Sequence, residues 1–361
     1  MTKNNSPEIK KSGILLEKTQ LGFENEGVFN PGSYQDGETI HLLYRAVSEG
    51  NYSTVGYCRL SDPLTIAERA ETPVYRPSHP SEAHGVEDPR VVKIDGIYYM
   101  AYVAYDGINA AGSLAVSTDL KHFSRAGFLT PRITMHDFRE LAEKYGAIPK
   151  GYYYNVMIPA DPEQRKSRLL WDKDVIFFPR KINGRLAFLH RVFPGIQVVY
   201  CDTPEDLTDA FWEDYFGNFR SHIVLESKHS FERQYIGGGC VPVETPEGWL
   251  LIYHGVEQSR AGKVYHAAAA LLDINDPTRE IARLSVPLFS PEKEWEVTGC
   301  VNNVVFPTGT AQIGDQLYIY YGAGDSKIGV ASLSLSGLMK ALLKNKSIKS
   351  CQVSQDQQSI F

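Results

Sequence analysis

Five times along this chain a Gly-containing turn opens into an apolar and aromatic run that ends on a charged or polar group. DGETIHLLYRAV begins at Asp36, DGIYYMAYVAYDG at Asp95, NGRLAFLHRVFPG at Asn183, EGWLLIYHGVE at Glu247 and GDQLYIYYGAGD at Gly314. The dipeptides DG, NG and GD suit hairpin positions that need φ > 0. A partner segment follows each run: TVGYCRLSD, GSLAVSTDL, IQVVYCDTPEDL, VYHAAAALLDINDP and KIGVASLSLSGL. From Asp36 to Gly314 the runs start 59, 88, 64 and 67 residues apart, room for one four-stranded sheet per repeat. Sheets repeated in this way are stable when set radially around a channel. The pattern therefore predicts an all-β chain, a five-bladed β-propeller forming a single domain over residues 1–361. A pair of irregular β-sandwiches is the competing arrangement, and it accounts less well for five copies of one hairpin.

The long second interval carries an insertion between blades two and three, at about 130–170. It contains a predicted helix at His136–Tyr145 and a tyrosine-rich loop. The stretch Thr134–Lys166 is a candidate lid or contact for a homo-oligomer. The tail LSLSGLMKALLKNK predicts a short amphipathic C-terminal helix packed on the outside.

Composition narrows the function classes. A formal charge of -6 disfavours a nucleic-acid surface, which needs a basic stripe. The five cysteines (Cys58, Cys201, Cys240, Cys300, Cys351) are scattered with no CxxC pair, which supports neither a disulfide framework nor a zinc site. No apolar run is long enough to span a bilayer. The N-terminal MTKNNSPEIKKSGILLEK has no apolar signal core. The expectation is a cytoplasmic protein, or a periplasmic one if a signal peptide has been removed.

In a propeller the strand ends near the channel converge, so functional groups fall at corresponding places of the repeats. Blade one offers Asn30 and Arg45, blade two Asp88 and Arg90, and blade three Lys173, Asp174 and Arg191. Blade four offers Tyr235, His254 and Glu257, and blade five Asn302, Asn303 and Asp325. Individually each of these fits an ion pair tying blades together, because structural networks mimic functional ones. Together they point to one polar cavity. No GxSxG elbow, HExxH motif or strand-linked GxGxxG is present. The IGGGC run at Ile236–Cys240 lacks the GK[ST] of a phosphate loop, and its glycines fit close packing near the channel. Carboxylates, arginines, asparagines and aromatic faces around one cavity suit polyhydroxylated ligands, and paired carboxyls suit glycosyl transfer.

These residues carry a resemblance. VFNPGSYQDGETIHLLYRAV, GVEDPRVV, FFPRKINGR, IGGGCVPVETPEGWLLIYHGVE, VNNVVFPTGT and YYGAGDSKIGVAS resemble glycoside hydrolase family 130, the mannoside phosphorylases and β-mannosidases built on a five-bladed propeller. The resemblance implies that Asp88 is the general acid, passing its proton to the glycosidic oxygen through a hydroxyl of the mannosyl ring. It implies that Asn30, Arg45 and Asp325 bind the mannose in the -1 subsite, with Glu87 and Arg90 as neighbours of the acid. Pro89 fixes the backbone beside Asp88. No metal or cofactor is implied, apart from inorganic phosphate as co-substrate in a phosphorylase.

The nucleophile is phosphate or water. Phosphorylases of the family hold phosphate with basic groups and an Asn. At the matching positions this chain keeps Arg191 and His254, has Lys173-Asp174 for an Arg-Asn pair, and has Tyr235 for a Lys. Arg suits oxyanions better than Lys, and an added Asp opposes phosphate. This predicts an inverting hydrolase acting on β-mannosidic bonds of manno-oligosaccharides, and the resemblance to family members with a reduced phosphate cluster implies that the linkage is β-1,2. Its water would be activated by Glu257, or by Glu232, from the face opposite Asp88. The alternatives are an inverting phosphorylase releasing α-mannose 1-phosphate and a non-catalytic glycan-binding propeller.

Overall fold

A computed structural model of the chain describes residues 7–154, 168–260 and 262–344. The fold is mostly β-sheet with a few short helices, and its strands follow one another as antiparallel meanders. The first unit runs Gly27–Asp36, Thr39–Ser48, Tyr52–Asp62 and Thr65–Arg69. The second runs Gly85–Ile94, Ile97–Tyr105, Ala110–Ser117 and Ser124–Phe128. The third is Asp172–Phe177, Leu186–Val192, Ile196–Cys201 and Ile223–Leu225. In the fourth, Tyr235–Gly238 and Val243–Thr245 share the partner Gly248–Ser259, followed by Gly262–Leu272 and Glu280–Arg283. The fifth comprises Val305–Ile313, Gln316–Ala323 and Lys327–Ser334, and the N-terminal strand Lys10–Leu16 supplies its outer edge. That pairing ties the two ends of the chain together.

Period-two alternation explains how the units pack, because successive side chains of a strand leave by opposite faces. Leu43 joins a core shared with Val86, Val91 and Met100 of the second unit. Its neighbour Leu42 joins a core shared with Tyr320, Ile328 and Val330 of the fifth. Phe188 faces Leu114 of the second unit, and Leu189 faces Trp249 and Leu251 of the fourth. Ile252 and Ala269 share a further core with Val305 and Ile319 of the fifth unit. Each described core is common to two consecutive units, and one of them joins the last unit to the first.

The helix expected in the insertion forms as Met135–Tyr145, with Thr134 capping the Asp137 amide at 3.1 Å. It packs by Phe138 on Phe216 of the helix Asp209–Gly217. The stretch proposed as a lid or oligomer contact lies partly outside the described residues. The C-terminal helix occupies residues 335–344 and buries Leu338, Met339 and Leu342 against the fifth unit. Among the described residues no helix is long and apolar enough to cross a membrane.

A repeated clamp, not anticipated from the sequence, holds the units internally. A fully buried glutamate receives a tyrosine hydroxyl from the second strand and faces a cation on the outermost strand. Glu24 is held by Tyr44 (2.8 Å) and Arg69 (3.0 Å), and Glu82 by Tyr102 (2.5 Å) and Arg125 (3.1 Å). Glu296 takes Tyr321 and Lys11, both at 2.7 Å. Glu232 accepts from Tyr253, from the Lys228 amide at 2.7 Å and from the His229 amide at 2.9 Å, and pairs with Arg283 at 3.2 Å. In the third unit His190 stands where the others have tyrosine, bonded to Asp172 and Tyr215 at 2.7 Å each.

Candidate active site

The site draws on the first strands of the units and on the strands and turns that follow them, and a shared backbone device aims three of the first-strand side chains. In the first strand of unit one, the register passes from Phe29 opposite Arg45 to Gly32 opposite Leu43. In unit two it passes from Glu87 opposite Val103 to Arg90 opposite Ala101, and in unit three from Lys173 opposite Arg191 to Ile176 opposite Leu189. Each break leaves one extra residue on the first strand, a β-bulge. Within the bulges Asn30, Asp88 and Asp174 adopt φ of 51°, 51° and 56°. Asn and Asp tolerate this left-handed region best among residues with a Cβ. Pro31 and Pro89 follow two of them, where the ladder is already interrupted and no amide is required.

Asn30 Nδ2 donates to Asp88 Oδ1 at 2.8 Å, joining two bulges. Arg90 is 2% exposed and reaches unit four, donating from Nε to the Gly239 carbonyl at 2.7 Å. Its Nη1 returns to the Asp88 carbonyl at 2.9 Å, so one guanidinium ties the Asp88 backbone to unit four. Beside it, Arg45 pairs with Glu87 at 2.8 Å and bonds Ser53 Oγ at 2.9 Å. Lys173 approaches the other Glu87 oxygen at 3.7 Å, so Glu87 bridges units one and three. Asp325, at φ 46°, has its carboxyl pushed up to about 6. Burial is the main cause, Asp88 and Glu87 add to it, and Arg45 and Lys173 oppose it.

In a second cluster Arg191 Nη1 lies 2.9 Å from Asp174 Oδ2 and 3.4 Å from His254 Nε2. Burial pushes the His254 imidazole down to about 3, and the cation of Arg191 adds to this while Asp174 opposes it. The ring is neutral at pH 7. Its Nδ1–H donates to the Gly238 carbonyl at 3.2 Å, which leaves Nε2 as an acceptor toward Arg191. The Tyr235 hydroxyl bonds the Tyr265 hydroxyl at 2.6 Å, and the Arg191 guanidinium stands 5.2 Å from the Tyr235 ring. The glycine run works by absence of bulk: a Cβ on Gly237 would overlap the Asp174 carboxylate and the His254 ring.

Asn30, Arg45, Asp88, Arg90, Lys173, Asp174, Arg191, Tyr235, His254 and Asp325 are thus linked by contacts or charge coupling. The two glutamates expected to activate water are not among them. Glu257 pairs with Val264 across the strands and lies one residue from Val256, so it leaves the strand by the face opposite His254. It is 37% exposed and meets His266 Nε2 at 3.3 Å. Glu232 is sealed in the clamp described above, with both oxygens occupied. Asn302 and Asn303 lie in the 298–303 loop, Asn302 accepting from the Gly299 amide at 3.2 Å. The sequence reading missed Ser53, Tyr265 and the crossing of Arg90 to Gly239. Tyr265 was signalled by register alone, since Tyr235 and Tyr265 both stand opposite Val256. The clamps had a visible signature in HPSE, HSFE and KEWE, at His79–Glu82, His229–Glu232 and Lys293–Glu296.

Carboxylates held at separate bulges, cations set among them and aromatic faces at the edge are the groups from which carbohydrate-cleaving sites are built. Comparison with known proteins gives the same class. Residues 17–344 match the glycoside hydrolase family 130 model described as beta-1,4-mannooligosaccharide phosphorylase. The chain belongs to this family of enzymes. It is 34% identical to a beta-1,2-mannobiose phosphorylase of Thermoanaerobacter sp. (strain X514), over 90% of this chain and 95% of that one. It is 32% identical to a 1,2-beta-oligomannan phosphorylase of the same organism, over 90% of this chain and 96% of that one. The beta-1,2-mannobiose phosphorylase structure from Listeria innocua aligns with a TM-score of 0.68 at 23% identity, over 93% of this chain and 99% of that one.

Proposed function

We propose that the five units are the blades of a five-bladed β-propeller, and that the cavity among their first strands cleaves β-1,2-mannosidic bonds of short manno-oligosaccharides by inverting phosphorolysis. The shared cores and the full-length likeness to β-1,2-mannoside phosphorylases support this reading. The observation that carries it is the Asn30–Asp88 pair at 2.8 Å, facing a cavity that also holds Arg191 and Lys173. Asn30 occupies Oδ1, so the acidic proton of Asp88 sits on Oδ2. That proton passes to a hydroxyl of the mannosyl ring, whose own proton moves to the glycosidic oxygen as the bond from C1 breaks. A phosphate oxygen forms the new bond to C1 from the opposite face, giving α-mannose 1-phosphate and a shortened sugar. Arg191 and Lys173 hold the phosphate, while Asn30, Arg45 and Asp325 hold the mannose.

Hydrolysis, the reaction favoured by the sequence alone, is the second reading, and one contact favours it. Asp174 already neutralises Arg191 at 2.9 Å, and His254 is uncharged, so the phosphate field is weakened. Water would then be activated by Asp174, the carboxylate standing in this cavity at the bulge equivalent to Asp88, in place of Glu257 or Glu232. Incubation with β-1,2- and β-1,4-mannobiose, with and without phosphate, separates the readings. Mannose 1-phosphate formed only with phosphate supports phosphorolysis. Free mannose at a phosphate-independent rate establishes hydrolysis, and no product from either sugar would falsify the assignment of mannosidic bonds.

A further inference from the structure

The groups proposed to hold phosphate are balanced in charge before phosphate arrives. Asp174 pairs with Arg191 at 2.9 Å, Glu87 approaches Lys173 at 3.7 Å, and His254 is neutral. A phosphate anion needs a cation that no carboxylate has already claimed. Lys263 is such a cation. It stands opposite Gln258, one pair from the Ser259–Gly262 end of the fourth unit's long hairpin. Alternation sets its side chain on the strand face shared by Tyr265 and by Ala267, which stands opposite His254. Its Nζ is 5.4 Å from the centre of the Tyr235 ring, and the Arg191 guanidinium is 5.2 Å from the same ring. Among the described residues no carboxylate pairs with Lys263. Asp174 is taken by Arg191, and Glu257, on the opposite strand face, meets His266.

We propose that Lys263 is a phosphate ligand, its ammonium leaving the Tyr235 ring for a phosphate oxygen beside Arg191. The inference rests on the proposed phosphorolysis. Two cations drawn to one aromatic ring repel each other, and cation–π attraction offsets part of that repulsion. An anion placed between them turns the repulsion into attraction to a shared partner. The Tyr235 hydroxyl is already bonded to Tyr265 at 2.6 Å, so the ring offers Lys263 only its face and releases it readily. The residue type fits the task. Lys263 is exposed, and a lysine carries a compact charge on a flexible four-carbon stem. Arg191, held by Asp174, supplies a fixed fork, and Lys263 restores the positive charge that Asp174 cancels there.

The test measures the two Michaelis constants of β-1,2-mannobiose phosphorolysis, for phosphate and for the disaccharide. Lys263→Met keeps the stem and loses the charge, and Lys263→Arg keeps the charge. In Lys263→Met the KM for phosphate rises about tenfold or more with little change in the KM for the disaccharide, and Lys263→Arg recovers most of the loss. A purely structural role in the hairpin moves both constants or neither. An unchanged KM for phosphate in Lys263→Met, or an equal rise for the disaccharide, overturns the role of Lys263 and leaves phosphorolysis standing. Wild-type turnover indifferent to phosphate overturns phosphorolysis and the phosphate ligand with it.

Discussion

Asp174 Oδ2 lies 2.9 Å from Arg191 Nη1, so the guanidinium proposed to hold phosphate carries its own counter-charge. Arg binds phosphate through paired N–H groups, and a resident carboxylate competes for them. Replacing Asp174 by Asn removes the competitor with little change of shape. If the enzyme is a phosphorylase, KM for phosphate in Asp174→Asn drops about tenfold with kcat retained. If it is a hydrolase, the same variant loses its base and hydrolysis falls by a factor of about 10²–10⁴. Steady-state rates over a phosphate titration show which occurs.

Asp88→Asn keeps the donor contact from Asn30 and the left-handed bulge, because Asn tolerates the same backbone. It has no acidic proton to pass on. The kcat on β-1,2-mannobiose falls by about 10²–10⁴, whereas β-mannosyl fluoride, whose leaving group needs no protonation, keeps most of its rate. Equal losses on the two substrates would show that Asp88 binds the sugar and does not act as the acid.

Asp325 gives the fold a pH dependence. Its carboxyl moves from 3.8 to about 6 on folding, so the folded state binds the extra proton between those values. Its contribution to stability is therefore highest below about pH 4 and declines as the pH rises through 6. The full change is about 3 kcal/mol. Asp325→Asn removes it: the variant melts above the wild type at pH 7.5, the gap closes toward pH 4, and mannoside turnover is lost. A gap that is constant across this range would contradict the assigned cause.

Glu232 and Glu257 separate structure from chemistry. Glu232→Ala deprives the buried Tyr253 hydroxyl of its acceptor and breaks the pair with Arg283. Loss of one partner from such a buried pair costs about 3–5 kcal/mol. Thermal melting shows this as a large fall in Tm, with kcat per folded molecule unchanged. Glu257→Gln changes only a partly exposed contact with His266, and Tm and kcat both stay near the wild type. A collapse of kcat in Glu257→Gln alone would restore it as the base.

The repeat of hairpins, the glycine turns and the polar strand ends were legible in the sequence because they are local, set by turn chemistry and period-two alternation. So were Asn30, Asp88 and Asp174, which stand at the same place in successive repeats. The tight fit around the IGGGC glycines was also foreseen, although the Gly237 contact that explains it joins residues of two units. What the tertiary structure alone decided is the identity of partners. Alternation says that Glu257 and His254 leave opposite faces, but not which face looks into the cavity. Glu232 reads as an available carboxylate until Tyr253 and Arg283, 21 and 51 residues away, are folded onto it. Arg90 sits two residues from Asp88, yet its anchor is a carbonyl 149 residues further on. A charge in a folded interior is defined by what neutralises it, and here the neutralising groups lie far away along the chain.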